Sequence, residues 1–168
     1  SGLSTGTYYF GIICDYLGAV AESDEDDNDC YYSSPRVVIS ANTDNVNLRC
    51  KNIGTLNYNS SSKLLSISGL QITNDGTARS TSSYVGYYLS TNSSISTSDI
   101  YLGEDFVGSL DPGEVSTESF SKTLTGIANG TYYVGVLADY RKTIQESDEN
   151  DNDCTYSTRI TIGSQSGG

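Results

Sequence analysis

One stretch of this chain occurs twice. Residues 6–34 read GTYYFGIICDYLGAVAESDEDDNDCYYSS and residues 130–158 read GTYYVGVLADYRKTIQESDENDNDCTYST, with 17 identities in 29 positions at a constant offset of 124. Several of the mismatches only exchange Ile, Val and Leu. A long repeat at fixed spacing means that copies of one folding unit follow each other along the chain. The stretch between the copies holds no second copy of itself. Residues 1–42 therefore read as the C-terminal β-hairpin of a preceding module, 43–48 as a linker, 49–163 as one complete domain and 164–168 as a polar tail.

Within the complete domain the apolar residues alternate with period two, which is the spacing of half-buried strands. Leu64 to Thr73 forms one strand, and its apolar parity slips from Leu65 and Ile67 to Leu70 and Ile72 across Gly69, the mark of a β-bulge. Asn74-Asp75-Gly76 and Asp111-Pro112-Gly113 are turns. Val85, Tyr87 and Leu89 share a face; so do Tyr132, Val134, Val136 and Ala138, and so do Tyr156, Ile160 and Ile162. Ile100 to Leu102 reads as a short strand, and Phe120, Lys122 and Leu124 share a parity on the next. The expected class is all-β, an antiparallel sandwich.

Composition narrows the function. Nine Lys and Arg against 21 Asp and Glu give a net charge of −12, which argues against nucleic acid and against anionic membrane surfaces. With no His in the chain, neither a Ser-His-Asp nor a Cys-His nucleophile nor a His-ligated zinc site can be assembled. The carboxylates cluster in exposed turns rather than across a cleft, so no enzyme activity is expected. No run approaches the roughly 18 apolar residues of a spanning helix. Four Cys without a CxxC spacing fit disulfides in an oxidising compartment, which places the protein outside the cell or at its surface.

The segments ISGLQITNDGTA, YVGYYLSTN, DIYLG, SLDPGE, GTYYVGVLADY and ESDENDND follow in that order between Ile67 and Ile162. This ordered set closely resembles the CARDB family, the cell-adhesion-related domain of bacteria and archaea. The resemblance implies an immunoglobulin-like sandwich of about seven strands, often set in tandem arrays on large secreted or surface proteins. The family pattern does not require the cysteines.

Three constellations are candidate sites. The acidic turns, Glu22 to Asp29 with six carboxylates in eight residues and Glu146 to Asp153, suit a hard cation, and calcium is the physical match. Asp24, Asp26, Asn28 and Asp148, Asn150, Asn152 alternate like the opening of a calcium loop. The competing reading is a solvated turn whose Asp and Asn residues bond their own backbone. The cysteines suggest Cys14–Cys30 within one hairpin and Cys50–Cys154 across the domain, against a Cys14 or Cys30 bridge to Cys50 or four free thiols. The outward members of the tyrosine doublets, Tyr9, Tyr88 and Tyr133, are candidates for stacking on sugar rings or on a protein, or are simply strand formers. The expected function is a non-catalytic extracellular module of a tandem array, acting in adhesion, spacing or display and stiffened by calcium. The alternative is a carbohydrate-binding accessory module of a secreted hydrolase. The expected partners are neighbouring modules of the same chain, a protein or polysaccharide ligand, and a second copy pairing through the N-terminal hairpin.

Overall fold

A computed structural model describes residues 3–24, 26–39 and 45–163, and every regular element among them is a strand. The expected tail, residues 164–168, lies outside the described residues, as do 40–44. The chain divides into two units, Ser1–Thr43 and Asp44–Gly168. The first holds β1 (Gly6–Tyr8), β2 (Gly11–Ile13), β3 (Asp29–Tyr31) and β4 (Val37–Ile39). In it β1 pairs with β4 and β2 with β3, both antiparallel.

The second unit holds β5 (Leu48–Asn52), β6 (Thr55–Asn59), β7 (Leu64–Asn74), β8 (Ser83–Ser90), β9 (Ile100–Val107), β10 (Val115–Thr123), β11 (Gly130–Leu137), β12 (Asp153–Thr155) and β13 (Ile160–Ile162). One sheet runs β10–β7 with β5 and β6 both on the far side of β7; the other runs β9–β8–β11 with β12 and β13 both on the far side of β11. Because β5 and β6 share one edge, and β12 and β13 another, the nine segments occupy seven strand positions, three in one sheet and four in the other. The fold is an immunoglobulin-like antiparallel sandwich.

The period-two residues make its core. Leu65, Ile67, Leu70 and Ile72 of β7 face Val85, Tyr87 and Leu89 of β8 and Val134 and Val136 of β11, all buried. The parity slip on β7 is a bulge at Gly69: Glu118 of β10 sits opposite Leu70 and Ser119 opposite Ser68, leaving Gly69 unpaired at φ +73°. Glycine takes that left-handed conformation without a Cβ clash. Across the sandwich the Tyr87 ring stacks on Phe120 with centroids 4.1 Å apart.

Several boundaries differ from the sequence expectation. The strand expected at Ile100–Leu102 continues to Val107, with the polar Glu104 and Asp105 on an edge strand that tolerates them. β6, Thr55–Asn59, was not anticipated, because its Asn-rich sequence shows only Leu56 and Tyr58 as partly buried residues. Val46 to Leu48, expected as linker, belong to the module: Val46 bridges Glu146 in parallel register, and Leu48 starts β5 fully buried.

The sequence repeat is also a repeat of strands. β11 spans the residues equivalent to β1 and β2 together, β12 is β3 shifted by 124, and β13 is β4 shifted by 123. Register is kept: Ile12 opposes Cys30 as Val136 opposes Cys154, and Tyr8 opposes Val37 as Tyr132 opposes Ile160. Burial is not kept. Phe10, Ile12 and Tyr32 are 58%, 44% and 53% exposed, while Val134, Val136 and Tyr156 are 0%, 0% and 7% exposed.

Candidate functional site

The acidic turn of the second unit grips the incoming first strand. The Ser147 N–H donates to the Val46 carbonyl at 2.9 Å. The Asp148 N–H donates to Asn47 Oδ1 at 3.2 Å, and Asn47 Nδ2 returns a bond to Asp151 Oδ2 at 3.0 Å. Glu146 Oε2 accepts the Leu48 N–H, and its Oε1 accepts Asn152 Nδ2 at 2.9 Å. Burial pushes the Glu146 carboxyl up to about 7, against the two donors, which favour the ionised form. Just upstream, buried Asp139 at φ +37° binds its own turn: Oδ1 accepts the Thr143 hydroxyl at 2.8 Å, and Oδ2 accepts the Ile144 N–H at 2.8 Å. Asp15, its equivalent, takes φ +41° and accepts the Ala19 and Val20 N–H groups at 2.9 and 2.7 Å.

The six residues considered for calcium serve these turns. Asp148 Oδ1 accepts the Asn150 N–H at 2.9 Å, and Asp24 Oδ1 accepts the Asp26 N–H at 3.0 Å, the same local turn in both copies. The Cys14 N–H donates to the Asn28 carbonyl, as Ala138 does to that of Asn152. Among the described residues no three carboxylate, thiol or imidazole groups converge where they would hold a metal ion. The Oδ1 atoms of Asp151 and Asn152 are buried without a hydrogen-bond partner. Two such oxygens are fewer than the six to eight ligands that calcium takes. In the first unit the equivalent turn is open, and Glu22, Ser23, Asp24, Asp27 and Asn28 line a hollow of about 400 Å³.

Cys50 of β5 and Cys154 of β12 form a disulfide with Cα atoms 6.2 Å apart, joining an edge of one sheet to an edge of the other. Cys14 and Cys30 are exposed and free, not joined to each other. The reason is register. Cys30 stands opposite Ile12, so Cys14 lies diagonally two residues on, and diagonal neighbours sit roughly 7–8 Å apart, beyond disulfide reach.

The tyrosines divide. Tyr9 is exposed, edge-on to Tyr31 at 6.2 Å with Arg36 over its ring at 5.7 Å, and Arg159 lies 5.5 Å over Tyr133. Tyr88, expected to face outward and free, is only 1% exposed, because Tyr101 and Tyr140 pack over it at 5.6 and 6.2 Å. Gly86 makes room: a Cβ there would come within 2.9 Å of the Tyr140 ring. Glu104 accepts the Tyr140 hydroxyl and pairs with Arg141 at 2.5 Å, and Arg141 lies 3.9 Å over Tyr84. Sequence reasoning missed Tyr101, Tyr140, Glu104 and Arg141. Their only signal is Tyr140-Arg141 in the turn that follows β11.

A two-sheet, immunoglobulin-like module, stapled at one edge by a disulfide and closed by an acidic hairpin that clamps its first strand, is the class these features define. The CARDB family model matches residues 66–156, and the chain belongs to that family. Among solved structures it is similar to the CARDB domain of a Pyrococcus furiosus protein, crystallised in complex with di-metal ions, at 20% identity, 71% of this chain, 94% of that one and a TM-score of 0.50. It is also similar to a domain of a provisionally described cell surface protein of Methanosarcina acetivorans (21% identity, 71% and 91% of the two chains, TM-score 0.44). A β-glucosidase of Kluyveromyces marxianus matches at 19% identity over 70% of this chain and 15% of its own, with a TM-score of 0.46. A comparison with curated proteins finds no match.

Proposed function

We propose that this protein is a non-catalytic spacer and display segment of an extracellular tandem array, in which residues 6–39 close one CARDB module and residues 45–163 form the next. The observation that carries this reading is the strand-for-strand repeat, with the core-facing residues of its first copy exposed. An edge disulfide and a strand clamped at both ends suit a module that bears load along the chain. The test is hydrogen exchange. The β1–β4 amides exchange fast in the 168-residue chain, while those of β7, β8 and β11 are protected. Protection of β1–β4 equal to that of β7, β8 and β11 would reject the reading.

Calcium is the finer part of this proposal, as an ion that relieves repulsion in the acidic turns. Its support is their charge density and the two unpartnered oxygens of Asp151 and Asn152. An ion bound to the native state raises the unfolding temperature. An unchanged midpoint at millimolar calcium, against an EDTA control, removes calcium from the proposal.

A further inference from the structure

We propose that the first unit is a receptor for an extended strand of pattern apolar–Asn–apolar–x–Cys, the first strand of the module this hairpin closes, and that Cys30 forms a disulfide with that strand's cysteine. The inference rests on the reading of residues 6–39 as a closing hairpin and adds what docks there, at which atoms.

The second unit shows the receptor occupied. Residues 46–50 read Val-Asn-Leu-Arg-Cys. Their contacts fall on Glu146, Ser147, Asp148 and Asp151 of the acidic turn, and then on Cys154. Shifted by 124, those residues are Glu22, Ser23, Asp24, Asp27 and Cys30, every one of them retained. The first four line the hollow of about 400 Å³, at the place where Val46, Asn47 and Leu48 lie in the second unit. The fifth carries an exposed free thiol. The side chains that would meet the incoming module, Phe10, Ile12 and Tyr32, are likewise uncovered.

The alignment also tells the two thiols apart. Cys30 is the equivalent of Cys154, whereas Cys14 is the equivalent of Ala138, which makes no bond to β5. The asparagine of the pattern is fixed by chemistry: its amide both accepts from a backbone N–H and donates to a carboxylate, as Asn47 does with Asp148 and Asp151. The bond forms by two exchanges. The Cys30 thiolate attacks a disulfide oxidant of the secretory route and expels one of its thiols; the strand's thiolate then attacks the mixed disulfide and expels the other. The oxidant leaves as a dithiol carrying both electrons.

The experiment uses the 168-residue chain and an eight-residue peptide copying residues 45–52, NVNLRCKN, with its cysteine activated as a mixed disulfide with 5-thio-2-nitrobenzoate. Exchange releases the coloured thiolate, and peptide mapping locates the adduct. Docking raises the effective concentration at the docked thiol, so Cys30 is captured in preference to Cys14 by about tenfold. Asn47→Ala in the peptide, or Asp27→Ala in the protein, abolishes the preference. Equal capture of Cys14 and Cys30, or the same pattern with a scrambled peptide, overturns the inference. So does a Cys30–Cys50 dimer of the untreated chain with Cys154 released, which would make a second copy the occupant. Hydrogen exchange on the same sample separates the two levels. Slow exchange of β1–β4 before peptide is added sinks the closing-hairpin reading itself. Fast exchange without Cys30 preference sinks only the strand receptor.

Discussion

Asn74 has its hydrogen-bonding capacity used up inside the fold. Its Oδ1 accepts the N–H groups of Gly76 and Asn47 at 3.0 and 3.2 Å, and its Nδ2 donates to the Ala78 and Leu110 carbonyls at 2.7 and 3.0 Å. One buried amide thus joins the end of β7 to the start of β5 and to the loop before β10. Asn74→Ala strands backbone groups in a dry site, where each costs about 1–3 kcal/mol. The expected loss is at least about 2 kcal/mol in urea unfolding at an unchanged m-value. A loss below half of that would mean that water replaces the amide. Glu146 makes the second prediction at this scale. Its carboxyl sits at about 7 when folded and at the ordinary 4.5 when unfolded. Between those values the native state holds the proton and the unfolded state does not. The stability this group contributes is complete below 4.5 and is lost as pH rises through 7. In calcium-free buffer the Glu146 side-chain carbon should titrate near 7 by NMR. A midpoint at the usual glutamate position would refute the burial account.

At the scale of elements the hairpin is the lesson. Its strands and its acidic turn were legible in the repeat and in the period-two pattern, because local sequence sets both; its register was not, since Cys30 stands opposite Ile12 and not opposite Cys14. The bulge at Gly69 was legible in the same pattern. What the acidic turn holds was not: the contacts from Glu146 and Asp148 reach residues 46–48, about a hundred positions away, and no local pattern records them. The carboxylates of Glu146 and Asp151 in that turn accept hydrogen bonds from the incoming strand. Tyr88 failed similarly, since alternation gives the face of a residue but not what lies over it. The cysteine register yields a measurable count. Two thiols per native chain should react with a disulfide reagent without prior reduction, and both should map to Cys14 and Cys30. No reactive thiol would mean that the hairpin shifts register to bring the pair together.

At the scale of the molecule the two sheets of the sandwich meet at an edge where β5 of one and β12 of the other come together, and the Cys50–Cys154 bond lies there. Neither edge is strongly held by its ladder: β12 is three residues long and β5 is five. The bond spans 104 positions, nearly the whole module. Cross-linking so long a loop removes unfolded-state entropy equivalent to about 4–5 kcal/mol in the chain-entropy model, and removing native disulfides typically costs about 2–5 kcal/mol. The Cys50→Ala, Cys154→Ala double variant leaves no odd thiol behind. It should lose stability in that range, which for a module of this size lowers the melting temperature by roughly 5 °C or more. The denaturant slope distinguishes two origins of the loss. If the bond acts on the unfolded chain, the variant unfolds to a more open ensemble and m rises. If it acts by holding the two edges together in the native state, m stays fixed while hydrogen exchange speeds up first at β5 and β12. The second outcome would make the staple a device against local opening of the edge, the place where pulling on the first strand begins to separate the sheets.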